Sequence, residues 1–288
     1  VIKVISLLKY LPKVSILIVA TLGTLTTAEA AKKKHVPMTM VYSFDEVFTH
    51  LEKNKEDTLF CINVDSVIQH KYIGSPGWYQ NRLSRLSKRF GDFFKAKKRV
   101  AEEQVLIDTL VSKECLELNV ADRFSQILSE CSCSLLGVSS LGIESVSSTL
   151  KSLKECGIEL YSRAFPTEDF FLETTQKCSA SALVQDGVLF CSTLGFSEAM
   201  KLLFIYENKM PKNIVFLTDN PEEIKTLGRE CIDLGIKFFG LVYYPAAESI
   251  FSYVYPYSAA VEIQEEHALK VISDATAQLS LDSLNQKS

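Results

Sequence analysis

The sequence predicts an α/β protein in which a mostly parallel sheet carries helices on both faces. From Ser134 onward, short apolar runs of strand length alternate with amphipathic helical patterns, the order that builds parallel βαβ units. Three apolar runs end in polar residues, Asn63-Val64-Asp65, Ser139-Ser140 and Thr218-Asp219-Asn220. Open α/β sheets bind ligands beyond such strand ends, near the point where the strand order reverses. The 288 residues are 47% apolar, enough for the core of one α/β domain with an insertion or of two small domains. A net charge of −4 gives no electrostatic argument for nucleic acid.

At the N-terminus Lys3, Lys9 and Lys13 precede an apolar run, Val14–Leu25, and the small-residue site Ala28-Glu29-Ala30. That order is the pattern of a secretory signal peptide over residues 1–30. The apolar run falls short of the roughly 20 residues that a spanning helix needs. The expected product is an exported protein, periplasmic or secreted, with no transmembrane segment after cleavage.

The elements follow in order. Ser43-x-x-Glu46 reads as a capping box before a short helix carrying Phe44, Val47, Phe48 and Leu51 at helical spacing. Leu59–Val64 is the first strand. Residues 75–130 read as a helical insertion, with Leu83, Leu86, Phe90, Phe93 and Phe94 on one side. Between Arg82 and Arg99 stand eight Lys or Arg against one acid, Asp92: a solvated helix face, or one that attracts an anionic ligand. Ser134–Ser139 is a strand, and Val146, Leu150 and Leu153 mark a helix that exits through Gly157. Ala182–Cys191 is a hairpin turning at Asp186-Gly187. A helix over 196–206 leads to the strand Asn213–Leu217. Asn220 then caps a helix with Pro221 in its first position, and Lys237–Val242 is the last strand. The core therefore comprises 31–74 and 131–245, followed over 246–288 by a C-terminal helix (about 259–272) and a polar tail.

Eight cysteines in an exported chain raise the question of disulfides. Most sit in apolar runs or on apolar helix sides and read as buried thiols, with one or two bridges left open. No Cys-x-x-Cys occurs and the four His lie apart from the cysteines, against a structural zinc site.

As a set, the strand-end motifs resemble those of the haloacid dehalogenase-like superfamily, mostly magnesium-dependent phosphatases on a Rossmann-like sheet. The family's Asp-x-Asp motif reads Asn63-Val64-Asp65, its strand-ending Ser is matched by Ser139, and its late acidic pair by Thr218-Asp219. Gly74-Ser75-Pro76-Gly77-Trp78 is similar to the loop after the first motif in exported class B acid phosphatases. The nearest overall likeness is to a secreted-looking bacterial family of unknown function within the superfamily, over roughly Leu59 to Tyr244. The resemblance implies a helical cap after the first strand, Asp65 as general acid, Ser139 and Ser140 at the phosphoryl group, and Asp65 and Asp219 as magnesium ligands. It also implies a cation early in the helix at 196, where Lys201 is the nearest.

The departures shape the expectation. The family's nucleophile attacks phosphorus as a carboxylate, and Asn63 is a neutral amide. Only one of the two late carboxylates is present, and Lys201 is displaced from the expected position. Asp65 and Ser139 also read as ordinary turn and helix caps. The sequence thus predicts a catalytically impaired protein that binds an unknown phosphorylated ligand or a protein partner, with magnesium doubtful. The alternative is an active magnesium-dependent phosphatase whose nucleophile is a water near Asp65.

Overall fold

A computed structural model describes residues 35–52, 57–70, 73–110, 113–173, 181–192 and 194–251. The signal-peptide pattern, the basic residues 32–34 and the C-terminal helix expected over 259–272 lie outside the described residues.

The described chain is built around an eight-stranded sheet in the order β1-β10-β9-β2-β5-β8-β7-β6. Its strands are β1 (Met38–Val41), β2 (Thr58–Asn63), β5 (Ser134–Ser139), β6 (Phe170–Glu173), β7 (Ser181–Gln185), β8 (Val188–Phe190), β9 (Asn213–Thr218) and β10 (Lys237–Tyr243). From β1 across to β8 every pairing is parallel, while β7 and β6 run antiparallel at one edge. The Rossmann-like α/β expectation is confirmed.

The central strands are buried on both faces, so their side chains alternate between two cores. Phe60 and Ile62 of β2 join Val215 and Leu217 of β9 on one face. There they meet the helices α1 (Phe44–Glu52), α5 (Val120–Glu130) and α6 (Val146–Glu155). Leu59, Cys61, Ile214 and Phe216 point the other way, against α7 (Phe196–Glu207) and α8 (Pro221–Asp233). The helix α8 starts as the sequence predicts: Asn220 accepts a hydrogen bond from the Glu222 N–H and Pro221 occupies the first turn. Asp186 and Gly187 turn the β7–β8 hairpin with φ of 49° and 76°, the left-handed pair a type I′ turn requires. At α1 the capping differs from the box: Glu46 accepts from the Tyr42 N–H, and Glu117 accepts from the Phe44 N–H.

α8 lies so close to β10 that a Cβ added at Gly240 would sit 2.2 Å from Ile224 Cγ2. Gly240→Ala is expected to cost about 1–3 kcal/mol through overpacking. Urea unfolding reads this directly, and a loss under about 0.5 kcal/mol would mean that α8 yields without cost.

Within the segment expected as the insertion, α3 (Pro76–Phe90) and α4 (Phe93–Leu110) form a helical pair with its own small core of Trp78, Leu86, Ala96, Val100 and Ile107. Arg82 of α3 binds Glu103 of α4, bracing the two helices, and Arg99 of α4 donates to the same carboxylate. The helix α5 packs on the sheet. A two-residue ladder, β3 (Ile68–Gln69) with β4 (Glu114–Cys115), ties the chain entering the pair to the chain leaving it. The seven described cysteines are free thiols, five of them buried. Burial is the main cause that pushes Cys133 up to about 11 and Cys231 up to about 12. Among the described residues no helix is long and apolar enough to cross a membrane.

Candidate functional site

β9, β2 and β5 are neighbours and run parallel, so their carboxyl ends share one edge of the sheet. The chain leaves β2 toward β5 and returns on its other side as β9, which makes this edge the switch point of the strand order. Asn63, Asp65, Ser139, Ser140 and Asp219 are all brought to it.

Asn63 ends β2 and is buried. Its Oδ1 accepts from the Asp65 N–H at 3.1 Å, capping the short helix α2 (Val64–Val67). Its Nδ2 donates to Thr218 Oγ1 at 3.1 Å and to Glu223 Oε2 at 3.4 Å. Thr218 donates to the same Glu223 oxygen at 2.8 Å, and Asn220 Nδ2 donates to Glu223 Oε1 at 3.1 Å. The Glu223 carboxyl lies above its ordinary value: burial and the charge of Asp219 raise it, against the hydrogen bonds from Thr218, Asn220 and Asn63. Both polar ends of Asn63 are thus engaged in a buried network.

Asp65 accepts three hydrogen bonds at one oxygen. Ser139 Oγ, the Ser140 N–H and Ser140 Oγ reach its Oδ2 at 2.9, 3.1 and 3.4 Å. These are the donors that the family resemblance assigns to a phosphoryl group. Asp65 Oδ1 has no hydrogen-bond partner and lies 3.9 Å from Lys113 Nζ. Asp219 Oδ1 accepts from Ser66 Oγ at 2.6 Å, and Ser66 Oγ in turn accepts from the Asp219 N–H.

A cavity of about 600 Å³ opens between this edge and the helical pair. Its polar lining includes Asp65, His70, Gln104, Asp108, Lys113 and Ser140. His70 Nε2 and Asp108 Oδ1 are 2.6 Å apart, and Gln104 donates to the same Asp108 oxygen at 2.9 Å. Burial pushes the Asp108 carboxyl up, but the hydrogen bonds from His70 and Gln104 and the charge of Lys113 outweigh it and hold it low. Tyr79, Ile68, Pro76, Val105 and Leu141 supply an apolar wall.

Several of these residues lie outside the motif positions. Among the described lining residues the cation is Lys113, delivered beside Asp65 by the β3–β4 ladder. Lys201, the expected substrate-binding cation, pairs with Glu230 of α8 at 2.9 Å and lines neither this cavity nor a smaller one beside Asn220. The displacement follows from α7 packing against α8, which turns Lys201 toward Glu230. Glu223, four residues beyond Asp219, brings a second carboxylate to the late motif, where Thr218 and Asn63 donate to it. Gln104 and Asp108 had one legible signal, an i,i+4 spacing that places both on one helix face.

Magnesium needs an octahedral set of oxygens. Among the described residues no group of three His, Cys, Asp or Glu is placed to hold a metal. Asn63 Oδ1 caps α2, Asp219 Oδ1 is bound by Ser66, and Asp65 has its Oδ2 surrounded by donors and only Oδ1 without one. In this arrangement the residues do not fit the ion.

Against this geometry, a family model described as "Protein of unknown function (DUF2608)" matches residues 40–278. A Chlamydia pneumoniae protein, named as a candidate outer membrane protein, is 24% identical over 208 residues, covering 69% of this chain and 75% of its own. No solved structure matches.

Proposed function

The chain belongs to this family of unknown function, and on that premise we propose that it is an exported binding protein. In this reading it has a haloacid dehalogenase-like framework whose phosphatase site no longer catalyses. One observation carries the reading: Asn63, at the nucleophile position, has its oxygen capping α2 and its nitrogen donating to Thr218 and Glu223. An amide so held is a poor nucleophile, neutral, with its nitrogen lone pair delocalised and its oxygen occupied by the Asp65 N–H. The serine donors that would cradle a phosphoryl group are satisfied by Asp65, which again speaks for binding without turnover. The ligand sits in the cavity between strand ends and helical pair, bounded by Asp65, His70, Asp108 and Lys113 on one side and by Tyr79 and its apolar neighbours on the other. Export is supported by the signal-peptide pattern of residues 1–30 and by the name of the Chlamydia relative.

The test is release of phosphate from an aryl phosphate with millimolar magnesium. The expected rate is that of the buffer blank, with and without Asp65→Asn. Turnover that Asp65→Asn abolishes would establish the rival reading, a phosphatase with a water nucleophile. A parallel thermal-shift titration with magnesium is expected to show no stabilisation, because an ion bound only by the native state would raise the midpoint.

A further inference from the structure

The turn joining α3 to α4 is basic and aromatic at once. Phe93 and Phe94 open α4 with 52% and 81% of their surface exposed, large values for side chains of that size. Their rings meet edge to face with centroids 5.9 Å apart, so they stand together as one apolar knob. Lys88, Arg89, Lys95, Lys97 and Lys98 surround it in sequence, and all are exposed. Asp92, the lone acid of this stretch, accepts from the Lys95 N–H and is spent as a helix cap. The chain as a whole carries a net charge of −4, so this concentration of cations is local. Arg82 and Arg99, further down the pair, are already bound to Glu103.

We propose that this tip is a peripheral docking site for an anionic phospholipid surface. Exposed aromatics ringed by Lys and Arg bury the rings at the headgroup boundary while the cations stay with the lipid phosphates. Nucleic acids and acidic protein surfaces answer the same cations, and the export pattern of residues 1–30 favours a lipid surface. The two clustered phenylalanines are exposed side by side, which suits a deformable apolar interface. The helical pair holds the tip on a separate small core. Membrane docking and the cavity's ligand rest on different residues, and either can fail alone.

The experiment is vesicle co-sedimentation of the full chain. Binding to phosphatidylcholine vesicles containing phosphatidylglycerol is expected to exceed binding to pure phosphatidylcholine by at least about tenfold. It is expected to fall steeply between roughly 0.1 M and 1 M salt as the screening length contracts. Phe93→Ser with Phe94→Ser, and separately Lys95, Lys97 and Lys98→Gln, should each weaken binding by at least about tenfold with an unchanged melting temperature, since these side chains are exposed. Equal binding to both vesicle types, full binding by the phenylalanine variant, or tighter binding to polyglutamate or a single-stranded oligonucleotide would each overturn the proposal.

Discussion

Lys113→Ala is expected to lower the unfolding free energy by about 3 kcal/mol, read by urea denaturation at neutral pH. The Lys113 side chain is only 8% exposed and its Nζ lies 3.9 Å from Asp65 Oδ1 and 4.0 Å from Asp108 Oδ1. Its removal leaves two carboxylates in a half-closed cavity without their shared counter-charge. The separations exceed direct hydrogen-bond length, which puts the expected cost at the low end of the range for breaking a buried pair. The pH dependence has a defined sign. Asp108 is held below its ordinary value of 3.8, so its contribution is present above that value and lost as pH falls through the depressed one. Lys113 is one of the depressing charges. Without it the acid limb of the stability curve moves to higher pH, and adding Asp108→Asn recovers part of the loss. A loss under about 0.5 kcal/mol would show that solvent already screens the pair.

Lys113 also marks the boundary of what the sequence disclosed. The strands β2, β5, β9 and β10 were legible because burial on both faces leaves near-continuous apolar runs, and α8 because Asn220-Pro221 is a local start signal. The strand ends carrying Asn63, Asp65, Ser139 and Asp219 followed from those strands. By contrast β1 is a half-exposed four-residue edge strand defined by its pairing with β10, far along the chain. Such a strand writes little into its own residues. The position of Lys113 depends on a two-residue ladder between Ile68–Gln69 and Glu114–Cys115, too short for any periodicity. The His70–Asp108 contact joins residues 38 apart through the packing of the helical pair. Local pattern reveals elements; it does not reveal which residue a non-local contact places beside another. Lys201 illustrates the converse, a plausible residue on a correctly read helix whose side chain is claimed by a neighbour.

Asn63→Asp tests the site from its other end, and the expected result is a less stable protein with no phosphatase activity. The substitution is nearly isosteric, but it replaces the Nδ2 donor with an oxygen facing Thr218 Oγ1 at 3.1 Å and Glu223 Oε2 at 3.4 Å. Two carboxylates then face each other where burial already holds Glu223 above its ordinary value of 4.5. A lost buried donor and a like-charge contact together cost about 2–4 kcal/mol at pH 7. For a carboxyl raised by folding, its contribution is fully present below the unfolded value near 4.5 and lost as pH rises through the folded one. The new carboxylate raises Glu223 further and deepens that loss. The deficit against the parent protein should therefore be small near pH 4 and full at pH 7, by denaturant unfolding at both. Asn63→Asp with Glu223→Gln removes the repulsion and should restore most of the stability. A deficit equal at the two pH values would show that the network is not the cause. Activity discriminates more sharply. The serine donors remain on Asp65, so aryl phosphate hydrolysis should stay at the blank in both variants. A single substitution that restored turnover would mean that the rest of the site is intact, and the binding-only reading would fall with it.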